Sequence, residues 1–283
     1  MRKIDKDYAA IPSGLTGALY TQKLAQSLVE QGVHRFSTSV YRHPSVLKDL
    51  LNLYNNKCAF CESDTSAGAP LQVEHFRPKA KVELFSPPHP GYYWLGYQWS
   101  NLLLACSSCN NKKRNFFPIS GIRLVTHPVT NGALDLARCL ADGAELMGEQ
   151  PTLINPEIEL DPMFHFEFYP DGTIKGNTDP GRETIIVCGL NRPPLIIKRK
   201  EFYDHYLERF NQYFIDYREN EDMAVLILQL KNAIKEMVNH IAKNKPYTEF
   251  ASKCLTNFKT FYVDRFQPEE AKPLIQAYNL VVN

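Results

Sequence analysis

Two Cys-x-x-Cys pairs are the residues of this 283-residue chain whose types and spacing most directly indicate chemistry. Cys58 and Cys61 form the first pair, and Cys106 and Cys109 form the second. Four thiolates at this spacing are typical of a tetrahedral structural Zn²⁺ site. Two disulfides or unpaired core thiols are the alternative. The chain starts without an apolar signal segment, so we expect a cytosolic protein. Because cytosolic thiols stay reduced, this disfavours the disulfide alternative. The sequence therefore predicts one structural zinc in a cytoplasmic protein.

The segment between the two pairs carries a second group of candidate residues. It is far longer than the roughly 15–20 residues of a simple zinc ribbon, so the metal would close a loop that contains a site. Glu74 and His75 lie next to each other in it, Asn101 follows, and Asn110 comes directly after the last cysteine. An imidazole with a pKa of about 6.5 suits a general base, and carboxylate and amide oxygens suit Mg²⁺ or Mn²⁺. We therefore predict His75 as the base and Glu74 and Asn110 as ligands of a catalytic metal.

Positive charge is concentrated around the same residues. The whole chain has a formal net charge of only +1, which excludes a generally basic surface. Residues 57–125, however, contain eight Lys and Arg side chains against four Asp and Glu. A solvated basic face is the ordinary explanation of such a cluster. Because these residues bracket both halves of the candidate site, we predict that Arg77, Lys79 and Lys113 contact nucleic-acid phosphates.

The order of these residues resembles that of the HNH endonucleases. In that family an acidic-His pair lies on one strand and an Asn or second His on the following helix, and here Glu74-His75, Asn101 and Asn110 occur in that order. The resemblance implies a ββα-metal core and cleavage of phosphodiester bonds to 5′-phosphate and 3′-hydroxyl ends. It also implies that Asn101 holds the loop that carries the histidine and so orients the imidazole.

Longer strings make the resemblance more specific. EHFRPK at residues 74–79, the aromatic run at 92–99, NFFP at 115–118, LINP at 153–156 and GLNR at 189–192 are similar to the PtuB-like HNH proteins of Septu and retron-associated anti-phage systems. The likeness covers roughly residues 1 to 200 of the chain. It implies a partner ATPase, or a retron RNA/DNA assembly, and the chain itself has no Walker A string.

Two other functions remain open from the residues. An RNA nuclease acting on tRNA would use the same site, because phosphate contacts look alike on both polymers. DNA is the favoured substrate. A non-catalytic zinc module that binds nucleic acid or protein would tolerate a degenerate acidic-His pair, and the intact Glu74-His75 pair disfavours it.

The rest of the pattern predicts an α+β protein that is mainly helical. We predict a helical lead over 1–55, the ββα-metal core with its zinc knuckle over 56–120, a mixed extension with a small β-hairpin over 121–192, and a helical region over 193–283. The aromatic run Tyr92 to Trp99 is interleaved with leucine and predicts core packing rather than base stacking. The stretch from Ser86 to Gly91 is predicted to be a loop.

An apolar stripe from Met223 to Ile241 recurs at steps of four and three residues. Such a stripe packs either within the chain or against a second copy or subunit, so a homo-oligomer through the C-terminal helices is one reading. No apolar run approaches the roughly 18–20 residues that span a bilayer, so no membrane partner is expected.

Overall fold

The computed structural model describes residues 1–83 and 88–282, so Ser86 and Pro87 of the predicted loop lie outside the described residues. Helix accounts for 52% of the structure and strand for 8%, which confirms the prediction of a mainly helical protein with small sheets. The chain forms two compact units, one of residues 1–166 and 175–190 and one of residues 167–174 and 191–283. No helix among the described residues is long and apolar enough to cross a membrane.

The first unit begins with three helices, α1 (Gly17–Glu30), α2 (Thr38–Tyr41) and α3 (Pro44–Leu53). Helix α3 begins at Pro44, because proline is tolerated in the first helical turn and the His43 side chain accepts a hydrogen bond from the Ser45 amide. Its apolar face, with Val46 and Leu50, is buried. The helix leads the chain directly into the first cysteine pair.

A two-stranded antiparallel sheet followed by a helix forms the centre of this unit. Strand β1 (Gln72–His75) pairs with β2 (Leu102–Ala105), with Glu74 opposite Leu103 and His75 opposite Leu102. Helix α4 (Ser107–Lys113) follows β2 after a single residue, Cys106. All four residues of β2 are buried, so this strand lies inside the unit. The order strand, strand, helix therefore brings Glu74, His75 and the second cysteine pair together.

The aromatic run between the strands is core, as predicted. Tyr92 and Trp94 are fully buried, and Trp99 is 5% exposed. The ammonium of Lys6, from the N-terminal lead, lies 3.6 Å from the centroid of the Trp99 ring and donates to the carbonyls of Trp99 and Leu102. The same lysine pairs with buried Glu157 at 3.2 Å. The N-terminal lead thus contacts the start of β2 and, through Lys6, the segment that carries Glu157.

The extension after α4 is mostly irregular. It contains the short strands β3 (Val129–Thr130) and β4 (Ala133–Leu134) and the helix α5 (Ala144–Gly148). A second hairpin pairs β5 (Phe166–Phe168) with β6 (Ile174–Gly176), and Gly172 at its turn has φ +83°. This is the small hairpin that the sequence predicts within 121–192, and a 3₁₀ turn over Pro162–His165 precedes it. Helix α6 (Asp179–Cys188) then ends at Gly189, which adopts the left-handed conformation.

The second unit is helical apart from its part of the hairpin. It contains α7 (Pro193–Asn220), α8 (Met223–Asn239), α9 (Thr248–Thr256), α10 (Phe258–Phe261) and α11 (Pro268–Val282). The middle of the predicted apolar stripe on α8 is buried, with Leu230, Ile234 and Met237 fully enclosed. Met223 and Ile241, at the two ends of the stripe, are 43% and 37% exposed. Packing within the chain therefore accounts for the centre of the stripe, and a homo-oligomer stays a prediction.

Candidate functional site

The four predicted cysteines come together in one buried cluster. Their sulfur atoms all lie within 4.8 Å of one another, and the Sγ atoms of Cys61 and Cys106 are 3.7 Å apart. Tetrahedral zinc with Zn–S bonds of about 2.3 Å places its sulfurs about 3.8 Å apart. None of the seven cysteines, each within the described residues, forms a disulfide, unlike in the alternative of two disulfides. The cluster could hold a metal such as zinc, as the sequence predicts.

Local backbone geometry explains why the sulfurs converge. The Ala59 amide donates to the Leu104 carbonyl at 2.8 Å, which joins the first knuckle to strand β2. The second pair spans the start of α4, where the Cys106 sulfur accepts from the Cys109 amide. Hydrogen bonding from Cys109 lowers the pKa of the Cys106 thiol to about 7, whereas burial raises the pKa of Cys58. A cation bound by all four sulfurs would favour their thiolate forms.

His75 is held in one orientation by contacts on three sides. Its Nε2 lies 3.0 Å from the Gly96 carbonyl oxygen, and because a carbonyl only accepts, Nε2 carries the hydrogen. Its Nδ1 is therefore the unprotonated nitrogen, and the Lys79 ammonium donates to it at 3.3 Å. The Tyr41 ring packs edge-on against the imidazole at 4.9 Å. Burial, followed by the charge of Lys79, lowers the pKa of His75 well below its usual range. The imidazole is thus neutral near pH 7.

Asn101 connects the two segments that hold this imidazole. Its Oδ1 accepts from the Arg77 amide at 2.8 Å, and its Nδ2 donates to the Arg77 carbonyl at 3.0 Å and to the Leu95 carbonyl at 3.1 Å. The segment at Arg77 follows His75, and Leu95 precedes the Gly96 carbonyl that receives the imidazole hydrogen. Asn101 is 2% exposed, so water does not compete for these bonds.

Glu74 and Asn110, the predicted ligands of a catalytic metal, have other partners in the structure. Glu74 Oε1 accepts from the Lys113 ammonium at 2.8 Å, and that ammonium also donates to the His75 carbonyl. Asn110 Nδ2 donates to Gln72 Oε1 at 2.8 Å. Within the described residues, the four cysteines are the only group of three or more His, Cys, Asp or Glu side chains placed to share a metal. Glu74 and Asn110 supply oxygen atoms that suit Mg²⁺ or Mn²⁺, but these two side chains alone do not complete a metal site.

Two of the three predicted phosphate-binding residues lie inside the protein. Arg77 is 1% exposed, and its guanidinium donates to Glu149 at 2.9 Å and to the Leu146 carbonyl at 2.6 Å. Lys113 is fully buried in its ion pair with Glu74. Their charges are satisfied within the fold, so the prediction that they contact phosphate does not fit their placement. Lys79 is half-buried and remains beside His75. His75 itself is 3% exposed, so the imidazole does not face an open cleft.

Two neighbours of His75 are absent from the residues predicted from the sequence. Tyr41 ends the short helix α2 and Arg42 follows it, more than thirty residues before the motif. The Arg42 guanidinium carbon lies 5.5 Å from the centre of the Tyr41 ring, and its charge contributes to lowering the pKa values of both His75 and Lys79. No local pattern marks these two residues, because only the tertiary fold brings α2 to the end of β1.

The fold and the site together define a mainly helical protein in which a four-cysteine cluster joins a small sheet and a helix around a buried histidine. No family model matches the chain. The chain is 30% identical over 244 residues to the Septu protein PtuB of Bacillus mycoides (strain KBAB4), and the match covers 79% of this chain and 78% of that protein. The chain therefore belongs to the Septu PtuB family, as its motifs predict.

Two further relatives match this chain over a smaller part of their own length. The match to the Septu protein PtuB of Bacillus thuringiensis is 35% identical over 171 residues, which is 60% of this chain and 48% of that protein. The Septu protein PtuA of Bacillus mycoides (strain KBAB4) is 26% identical over 194 residues, which is 66% of this chain and 25% of that protein. This kinship implies a role in Septu anti-phage defence.

Proposed function

We propose that the chain is a metal-dependent HNH nuclease that hydrolyses phosphodiester bonds, with DNA as the favoured substrate. In this proposal it acts as the effector subunit of a Septu anti-phage system and is gated by a partner ATPase. The observation that carries the proposal is the tautomer of His75. Because Nε2 donates to Gly96, Nδ1 is left as a base beside an exposed arginine and a half-buried lysine.

The arrangement of elements supports the same assignment. Glu74 and His75 end strand β1, Asn101 directly precedes β2, and Asn110 lies on α4. A strand, strand and helix carrying these residues in this order is what the resemblance to HNH nucleases implies. The hydrogen bonds of Asn101 also fit the positioning role that the resemblance assigns to it.

Hydrolysis by these residues would proceed as a displacement at phosphorus. Water attacks as His75 Nδ1 accepts its proton. The bond from phosphorus to the 3′ oxygen breaks, and the leaving oxygen takes a proton from solvent to give the 3′ hydroxyl. The Gly96 carbonyl accepts from Nε2 throughout, which stabilises the imidazolium that forms. When bound, Mg²⁺ or Mn²⁺ would supply charge stabilisation for the phosphoryl and leaving oxygens, and Glu74 Oε2 and Asn110 Oδ1 are the oxygens that would hold it. Zinc in the cysteine cluster would stay outside this chemistry and hold α4 against β2.

The test uses the purified full chain, alone and co-expressed with a candidate partner ATPase from the same genome. Plasmid, single-stranded DNA and tRNA are incubated with each preparation in Mg²⁺ or Mn²⁺. We expect DNA cleavage that falls by about 10²- to 10⁴-fold in His75→Gln, which keeps a side chain of similar size in the buried position. His205→Ala, at an exposed histidine of the second unit, is the matched control.

Three results would change the proposal. Cleavage of tRNA without cleavage of DNA would assign an RNA substrate. Binding without cleavage in either preparation would favour the non-catalytic module. Cleavage by His75→Gln at the wild-type rate would remove His75 from the mechanism.

A further inference from the structure

Two cations, Lys79 and Arg42, lie beside His75 without a close ion pair among the described residues, although the charge of Glu74 acts on Lys79 from a greater distance. Lys79 contacts the imidazole at 3.3 Å, and its ammonium lies 5.0 Å from the centre of the Tyr41 ring. Arg42 approaches the same ring at 5.5 Å. Within the described residues neither side chain forms an ion pair, and the nearby Glu74 is already bonded to Lys113. The Tyr41 ring therefore contacts both cations, and both lie near the proposed base His75.

This arrangement differs from that of three cations of the same unit whose side chains are buried. Lys6, Arg77 and Lys113 each have a carboxylate within 3.2 Å. That is the ordinary way for a protein to compensate a charge removed from water. Lys79 instead contacts a neutral imidazole, and desolvation lowers its pKa to about 8, so it is still mostly protonated at pH 7. The desolvated Lys79 thus lies near a second, exposed cation, Arg42. A bound anion would compensate both charges.

We propose that Arg42 and Lys79 together bind the phosphodiester group that is cleaved, with Arg42 supplied by the N-terminal lead rather than by the motif. This inference rests on the proposed nuclease function and names the residues that would hold its substrate. A guanidinium can bind two phosphate oxygens at once, and an ammonium adds a point charge. When the phosphate arrives, the Lys79 ammonium moves from His75 Nδ1 to the phosphate oxygens. That movement leaves Nδ1 open to the attacking water.

The first experiment measures binding without cleavage. A fluorescently labelled DNA duplex is titrated with the full chain in EDTA at several salt concentrations, and the dissociation constant is read by anisotropy. We expect Arg42→Ala to weaken binding about tenfold and to reduce the slope of log affinity against log salt by about one. Arg35→Ala removes an equal charge from the same segment. Arg35 is exposed and, among the described residues, has no contact with His75 or Tyr41, so its loss should change affinity less than about threefold. Equal losses in the two variants would overturn the inference.

The second experiment measures single-turnover cleavage by Lys79→Met. The Lys79 ammonium lies 5.0 Å from the centre of the Tyr41 ring and 5.8 Å from that of Phe36, and the aliphatic methionine side chain can keep this packing. We expect both DNA affinity and the cleavage rate to fall about tenfold or more, because a phosphate contact is lost. Faster cleavage than wild type would mean that Lys79 only covers the base, and would overturn its assigned role.

The outcomes separate this inference from the proposed function. If the wild type binds DNA through Arg42 but cuts no nucleic acid, with or without the ATPase, the nuclease proposal fails and the phosphate site stands. If the wild type cuts DNA and Arg42→Ala binds and cuts as well as Arg35→Ala, the phosphate site is wrong and the nuclease proposal stands.

Discussion

Replacing Asn101 with alanine should destabilise the first unit strongly. The substitution removes three hydrogen bonds and leaves the Arg77 amide, the Arg77 carbonyl and the Leu95 carbonyl without that partner. A buried hydrogen bond contributes about 1 kcal/mol net, and an unsatisfied buried group costs about 1–3 kcal/mol. We therefore expect Asn101→Ala to lower the free energy of unfolding by about 3 kcal/mol or more. Catalysis should fall with it, because the segments on either side of the imidazole are no longer joined.

Urea denaturation followed by tryptophan fluorescence measures this loss. Trp94 and Trp99, the two tryptophans of the chain, are both buried in the first unit, so their emission reports on the unit that contains Asn101. Asn110→Ala is the matched control. It removes one hydrogen bond, to Gln72, from a half-buried side chain, and should cost about 1 kcal/mol or less.

Asn101→Asp provides a second comparison. The carboxylate can still accept from the Arg77 amide, but it turns a charge toward two carbonyl oxygens, so we expect it to be at least as destabilising as alanine. The reasoning is refuted if Asn101→Ala costs less than about 1 kcal/mol, or no more than Asn110→Ala.

Three further results are expected. Elemental analysis of chelator-washed protein should find one zinc per chain, and Cys58→Ser should be insoluble or unfolded; folded protein with less than about half an equivalent of metal would contradict the assignment. Lys113→Met leaves the Glu74 carboxylate unpaired and should cost about 3–5 kcal/mol in urea denaturation, whereas weaker DNA binding at unchanged stability would restore Lys113 as a phosphate ligand. Desolvation lowers the pKa of Lys6 from 10.5 to about 8, so between those values the unfolded chain holds a proton that the folded chain has lost. In this range Lys6 should therefore raise the free energy of unfolding by up to about 1.4 kcal/mol for each pH unit. Denaturation at pH 7.5, 8.5 and 9.5 measures this rise in the wild type, and Lys6→Met should lack the part that Lys6 contributes.

The features that the sequence predicts correctly are those with a local cause. Cysteine spacing alone predicts the four-sulfur cluster, because the ligand geometry of zinc requires it. His43-Pro44 predicts the start of α3, and the Pro-Asp-Gly turn predicts the hairpin, because each residue restricts its own backbone. The Septu kinship is likewise predicted from short strings and is confirmed by the relatives. That the cluster holds zinc, and that the site is a nuclease, stay predictions.

Features that depend on distant residues were predicted less well. The charges of Arg77 and Lys113 suggested contact with phosphate, but each is paired with a carboxylate, Glu149 and Glu74 respectively. Neither pairing has a signature in the local sequence, since Glu149 is 72 residues from Arg77. Arg42 was overlooked for the same reason. Charge type predicts that a side chain needs a polar partner, but not whether that partner is solvent, substrate or another part of the fold.

The ion pair between Arg77 and Glu149 limits how the chain can be divided in engineering. Glu149 also accepts hydrogen bonds from the Tyr92 hydroxyl and the Leu124 amide. This one carboxylate in the extension therefore bonds to three separate segments of the unit. A minimal fragment that ended at residue 120 would retain Arg77 but lose the only carboxylate bonded to it among the described residues. Transplanting the motif into another scaffold would therefore require either this extension or an apolar replacement for both members of the pair.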